Sequence, residues 1–198
     1  KPMIVKNIKR AVFLDRDGVI SPDDFGYLSN PAEYHLYPYT IEALTILKEL
    51  DFLLFVVTNQ SGIARGYFTV QDLEKVLAKM RSLLAAGGVE LTGVYYSPYF
   101  KNGIVPPYNI EHEDRKPGIG MFKKAYTDFP FQINGSWMIG DRISDIGFGK
   151  NAQLKNILLL TGNGQKDFLN ILENKELRPD FVCENLLTAA NLIKDYKL

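Results

Sequence analysis

Asp15 and Asp17 stand two residues apart, with Arg16 between them, directly after the apolar run Ala11, Val12, Phe13 and Leu14. Such a run belongs inside a sheet, and a carboxylate buried at its end costs free energy unless a cation or hydrogen-bond donors compensate it. Other polar clusters adjoin apolar runs in the same way. "TNQSGIARG" (58–66) opens with Thr58, Asn59 and Gln60, "RKPG" (115–118) carries Arg115 and Lys116, and "GDRISD" (140–145) carries Asp141, Arg142 and Asp145. Clustered carboxylates need a cation, and oxygen-only ligation suits magnesium. A hydroxyl beside the free amides of a Ser-Gly-rich turn cradles an anion, and a lysine sets a point charge on phosphate. Together these groups describe phosphoryl transfer with an aspartate as nucleophile. Each pair of like unit charges about 4 Å apart opposes the approach of an anionic ester by roughly 4 kcal/mol at an effective dielectric near 20. A divalent cation and Lys116 would offset several such pairs. Each cluster alone reads as an ordinary turn, cap or solvated loop. A calcium loop is excluded, because its fifth and twelfth positions would be Val19 and Gly26.

What must position these groups is a parallel sheet. The runs 11–14, 52–57, 93–97, 137–140 and 156–160 are short and apolar on both alternating faces, as strands covered on both sides are. "FVC" (181–183) reads as an edge strand. Helical patterns lie between them: 40–50 with Thr40 as N-cap, 69–88 with Thr69 and Asp72 spaced as a capping box, a helix opening at Pro117, and one after Asn185. Alternation of strands and helices predicts an α/β fold, a three-layer, Rossmann-like parallel sheet with helices on both faces. Ligands bind such sheets beyond the carboxyl ends of the strands, where the four clusters fall. Trp137 is expected to head the fourth strand, Cys183 to fill the core, and His35 to lie at the surface. The stretches 20–39 and 98–114 are long and aromatic-rich without helical periodicity, and loops of that length are commonly functional. No segment between the motifs is long enough for a large cap domain, so residues 1–198 are read as one domain whose two loops wall the cleft.

The chain has 23 basic and 23 acidic residues. A neutral chain lacks the general field that draws in nucleic acid or an anionic membrane. A single cysteine excludes an internal disulfide framework and suits a reducing compartment. The N-terminal "KPMIVKNIKR" is too basic for a signal peptide, and no apolar run is of membrane-spanning length. A cytoplasmic monomer acting on a small phosphorylated sugar, without nucleic-acid or membrane partners, is expected.

"FLDRDGVI", "TNQSGIARG", "RKPG" and "GDRISD" resemble the four motifs of the haloacid dehalogenase (HAD) superfamily of aspartate-nucleophile phosphatases. The resemblance runs from about residue 10 to about residue 160. It is closest to the branch of heptose-1,7-bisphosphate 7-phosphatases and histidinol-phosphate phosphatases, and "TNQSGIARGYFT" favours the former. It implies Mg2+-dependent hydrolysis of the heptose 7-phosphate through an aspartyl-phosphate. Asp15 would attack phosphorus, and Asp17 would act as general acid and then base. Asp15, Asp141 and the Asp17 carbonyl would bind magnesium, with Asp145 orienting waters or Arg142. Thr58 and the Asn59 amide would hold phosphoryl oxygens, and Lys116 would neutralise charge. Arg115 would reach a distal phosphate, and Arg16 and Gln60 would line the site. The branch commonly carries a zinc-binding Cys-x-His and Cys-x-Cys. Here those positions are Ser97-Pro98-Tyr99 and His112-Glu113-Asp114, so no structural zinc is expected. The loop would then be held by packing of Tyr99, Phe100, Pro106, Pro107 and Tyr108. Alternatives within reach of the same chemistry are a histidinol-phosphate phosphatase, a polynucleotide 3′-phosphatase and a phospho-accepting signalling module.

Overall fold

The computed structural model describes residues 8–24 and 26–196; most of the basic N-terminal stretch lies outside them. Six strands form one parallel sheet: β1 (Arg10–Leu14), β2 (Leu53–Asn59), β3 (Gly93–Ser97), β4 (Gln132–Gly140), β5 (Lys155–Leu159) and β6 (Phe181–Cys183). Their order, β3-β2-β1-β4-β5-β6, reverses direction at β1. Each side chain of β1 chooses its layer by the two-residue period of a strand. Val12 and Leu14 enter one core with α1 (Thr40–Glu49), α2 (Val70–Ala86) and α6 (Leu186–Asp195). Ala11 and Phe13 enter the other with α3 (Gly120–Asp128) and α4 (Ile143–Asn151), where Phe13 sits among Phe55, Phe122, Phe131 and Phe148. α5 (Gly164–Glu173) follows β5 and packs against Leu158 through Ile171. The α/β architecture is as expected, and no large cap stands over the sheet among the described residues.

Several local expectations need correction. Thr40 is the first residue of α1 rather than its cap. Tyr39 takes that position without a side-chain bond, and Thr40 Oγ1 donates to the Ile20 carbonyl at 2.8 Å, tying the 20–39 insertion to the helix. α3 begins at Gly120, not Pro117, because residues 115–118 form a turn that presents Lys116. β4 starts at Gln132, so Trp137 lies inside it; its ring packs on Phe181 and Tyr196. α4 has no amphipathic stripe to read, because Asp145, Ile146, Gly147, Phe148 and Gly149 are all buried. The capping box of α2 forms as read: Asp72 N donates to Thr69 Oγ1 at 3.1 Å and Thr69 N to Asp72 Oδ2 at 2.9 Å. Cys183 is buried and His35 exposed.

Candidate active site

The carboxyl ends of the parallel strands bring the motifs to one cleft of about 320 Å³, lined among others by Asp15, Asp17, Asn59, Gln60, Arg115 and Lys116. Asp15 follows β1 directly, and its amide donates to the Ile139 carbonyl of β4, which fixes where the side chain leaves the sheet. Asp15 Oδ1 accepts the Arg16 amide at 2.7 Å and lies 3.2 Å from Lys116 Nζ. Lys116 is buried and donates to Asp145 Oδ1 at 2.6 Å and to the Val57 carbonyl at 2.7 Å. Its loop is clamped by Asn59, whose Oδ1 accepts the Lys116 amide at 2.9 Å and whose Nδ2 donates to the Lys116 carbonyl at 3.1 Å.

Asp15, Asp141 and Asp145 each bring a carboxylate oxygen within 4.8 Å of the others, all buried. Burial first, and then neighbouring negative charge, raise the values of Asp15 and Asp141. Asp15 is pushed up to about 7 by desolvation against the pull of Lys116, and Asp141 well above its usual range by desolvation and the charges of Asp15 and Asp145. Burial opposes the charge on Lys116, yet Asp145 and Asp15 hold its value above the usual lysine range. Lys116 thus pairs with two of the three carboxylates, Asp15 and Asp145. Asp141 Oδ2 accepts the Asn163 amide at 2.8 Å, while Asp141 Oδ1 is buried with no partner among the described residues. An orphaned buried oxygen in an all-oxygen carboxylate cluster fits a hard divalent cation.

The remaining expected residues divide. Asp17 lines the cleft, and Gln60 Nε2 donates to Asp17 Oδ2 at 3.0 Å and to Thr58 Oγ1 at 2.8 Å. Thr58 itself is buried, so its hydroxyl meets Gln60 first. Asp145 does not reach the Arg142 guanidinium; its Oδ2 accepts the Arg142 amide at 3.0 Å, closing the first turn of α4. Arg142 Nη2 lies 3.2 Å from Asp23 Oδ2 across the mouth of the cleft. The expectation that Arg16 lines the site is wrong. Its side chain is 1% exposed and turns inward, past Asp17, toward Tyr34.

Arg115 lines the cleft beside an arginine that sequence reasoning assigned no role. The guanidinium carbons of Arg65 and Arg115 lie 4.0 Å and 5.1 Å from the centre of one ring, Phe100. Neither has a carboxylate within ion-pair reach among the described residues. Burial and then the Arg65 charge lower the Arg115 value. In the same loop, the rings of Tyr99 and His112 stack 3.9 Å apart, Asp114 pairs with Lys124, and Phe100 N donates to the Tyr108 carbonyl. Pro106 and Pro107 are exposed, so the packing expected of them falls to these rings instead.

The sequence reading also missed Thr161, Gly162 and Asn163. Thr161 Oγ1 donates to the Gly18 carbonyl at 2.6 Å, and a Cβ on Gly18 or Gly162 would each fall 2.3 Å from Asp141 Oδ2. The "TGNG" run lies just beyond β5 at the same rim. Its position is the signal that finds it: a polar, glycine-rich turn directly after an apolar run, as at the other clusters.

A parallel sheet with this order, a buried acidic triad and an aspartate directly after β1 define a HAD-type phosphatase, and the chain belongs to the HAD superfamily of phosphatases. A HAD-hydrolase-like family profile matches residues 114–189. D-glycero-beta-D-manno-heptose-1,7-bisphosphate 7-phosphatase of Pasteurella multocida is 37% identical over 191 residues, 96% of this chain and 100% of its own. D-glycero-D-manno-heptose-1,7-bisphosphate 7-phosphatase of Chlorobaculum tepidum is 35% identical over 91% of this chain and 92% of its own. Among solved structures, D,D-heptose 1,7-bisphosphate phosphatase from B. bronchiseptica, complexed with magnesium and phosphate, superposes with a TM-score of 0.79 at 28% identity. The match covers 94% of this chain and 99% of that one.

Proposed function

We propose that the chain is a magnesium-dependent phosphatase of a small sugar bisphosphate, removing the 7-phosphate of D-glycero-D-manno-heptose 1,7-bisphosphate. The observation that carries this reading is the pair Arg65 and Arg115. They are two guanidiniums without an acidic partner, among the described residues, on the wall of the cleft that holds Asp15, so they leave room for a second dianionic group beside the reacting one. The relatives at 35–37% identity act, by their names, on such a bisphosphate.

In this reading an Asp15 oxygen attacks phosphorus in line while the bond to the sugar oxygen breaks, forming an aspartyl-phosphate. Asp17 gives its proton to the leaving alkoxide, then takes one from the water that releases inorganic phosphate. Lys116, fixed by Asp145 and Val57, offsets negative charge on Asp15 and the incoming phosphoryl group. Asn59 and Gln60, at the end of β2 and on the cleft lining, would supply hydrogen bonds to the phosphoryl oxygens, with Thr58 behind them bonded to Gln60. Asp15, Asp141 and the Asp17 carbonyl would hold Mg2+, which when bound supplies positive charge to the phosphoryl oxygens. The loop would hold without zinc: its positions carry no thiolate, and His112 with Asp114 offers at most two ligands where a structural zinc takes four, so the Tyr99–His112 stack and the Asp114–Lys124 pair would brace it instead.

Turnover of a panel of phosphate esters, with and without magnesium, tests the proposal. Heptose 1,7-bisphosphate should give the highest kcat/KM and release one phosphate. Arg65→Ala or Arg115→Ala should raise its KM about tenfold or more while changing that of a monophosphate little. Faster turnover of histidinol phosphate or a polynucleotide 3′-phosphate would overturn it.

A further inference from the structure

After Trp137, Arg16 is the largest fully buried side chain among the described residues, and a buried cation needs a reason. Its partner is the neighbouring Asp17. Arg16 Nε donates to Asp17 Oδ1 at 2.9 Å and Nη2 to Asp17 Oδ2 at 2.8 Å, a planar fork on both carboxylate oxygens. Adjacent residues do not normally face each other in extended chain. They do here because the Arg16 carbonyl receives the amides of Val19, Ile20 and Ser21, curling the chain after β1 into a tight knot. The Tyr34 ring, from the 20–39 insertion, lies 5.9 Å from the guanidinium carbon and closes the pocket behind it. From the cleft side only Gln60 Nε2 touches the same carboxylate among the described residues.

We propose that Arg16 is a positioning residue. It does not meet substrate; it fixes the plane and reach of the Asp17 carboxyl that serves the leaving group, and so determines how well the enzyme expels a poor leaving group. The inference rests on the reaction proposed above, in which the proton passes from Asp17 to the sugar oxygen as the phosphorus–oxygen bond breaks and the bond to Asp15 forms. An alkoxide needs that proton to depart, whereas p-nitrophenolate leaves without it. Loss of Arg16 should therefore penalise alkyl esters selectively.

The experiment compares kcat/KM, which reports steps up to phosphoenzyme formation, for heptose 1,7-bisphosphate and for p-nitrophenyl phosphate. Arg16→Lys keeps the charge beside Asp17 without the fork, and Arg16→Met removes both. The expected result for Arg16→Lys is a loss of about thirtyfold or more on the sugar ester and less than about threefold on the aryl ester. In an Asp17→Asn background the same substitution should cost less than about twofold on either ester, because the two residues act as one unit. Equal losses on both esters, or an undiminished loss in the Asp17→Asn background, would overturn the proposal. Failure of Arg16→Lys to fold would assign Arg16 to the core alone and overturn it equally. If the wild type hydrolyses neither ester with magnesium, or Asp15→Asn retains its rate, the reaction itself is wrong, which is a separate result from uniform losses at Arg16.

Discussion

Lys116 shows how much one side chain carries in a buried site. Its ammonium meets Asp15, Asp145 and the Val57 carbonyl with almost no exposure to solvent. Removing one partner of a buried ion pair leaves uncompensated charge, at a cost of about 3–5 kcal/mol. Lys116→Met is expected to lose stability on that scale in urea unfolding and to cut kcat by about a hundredfold or more, as loss of a preorganised charge does. Arg16 and Lys116 are both buried cations, beside Asp17 and Asp15 in turn, yet only Lys116 lines the cleft. Their sequence contexts, each next to an acid or a basic neighbour in a motif, do not distinguish the two.

At the scale of elements, the turns after strands do the placing. The first turn of α4 is closed by Asp145, the same residue that grips Lys116, so the helix start and the site share one carboxylate. Elements away from the cleft are stabilised more locally. The Thr69 amide and hydroxyl hold the Asp72 carboxyl below its usual value, so this contribution is present above that value and lost as pH falls through the lowered one. Thr69→Ala removes an N-cap and should cost about 1 kcal/mol, or roughly 2–4 °C in thermal midpoint, with turnover unchanged. The strands and α2 are legible in the sequence because alternation and caps act between near neighbours. α4 is not, because a helix buried all round has no polar face to reveal its period.

The whole molecule concentrates acid at one end of its sheet. With carboxyl values raised in the folded state, to about 7 for Asp15, the protonated forms favour the fold. That stability is complete below the ordinary aspartate value and is lost as pH rises through about 7. A divalent cation bound as proposed would take the place of those protons. Thermal unfolding should therefore show a midpoint that rises with magnesium, by up to about 2.7 kcal/mol of added stability at a hundredfold excess over Kd. The rise should be larger at about pH 8 than at about pH 5 and should vanish in Asp141→Asn. An equal rise at both pH values would show that Asp15 and Asp141 are not where the ion binds.

Read alone, the chain revealed the kind of sheet and the polar clusters in which Asp15, Asp17, Lys116 and Asp141 lie. Short apolar runs are a local property, and an open parallel sheet binds its ligands beyond the carboxyl ends of its strands. Tertiary structure alone decided that Arg16 turns inward, that Asp145 grips Lys116 rather than the Arg142 guanidinium, and that Arg65 joins Arg115 on Phe100. It also decided that Thr161 reaches Gly18 across 143 residues of chain. Those outcomes depend on where distant segments return and which polar atoms burial leaves to be paired, and no near-neighbour pattern encodes either.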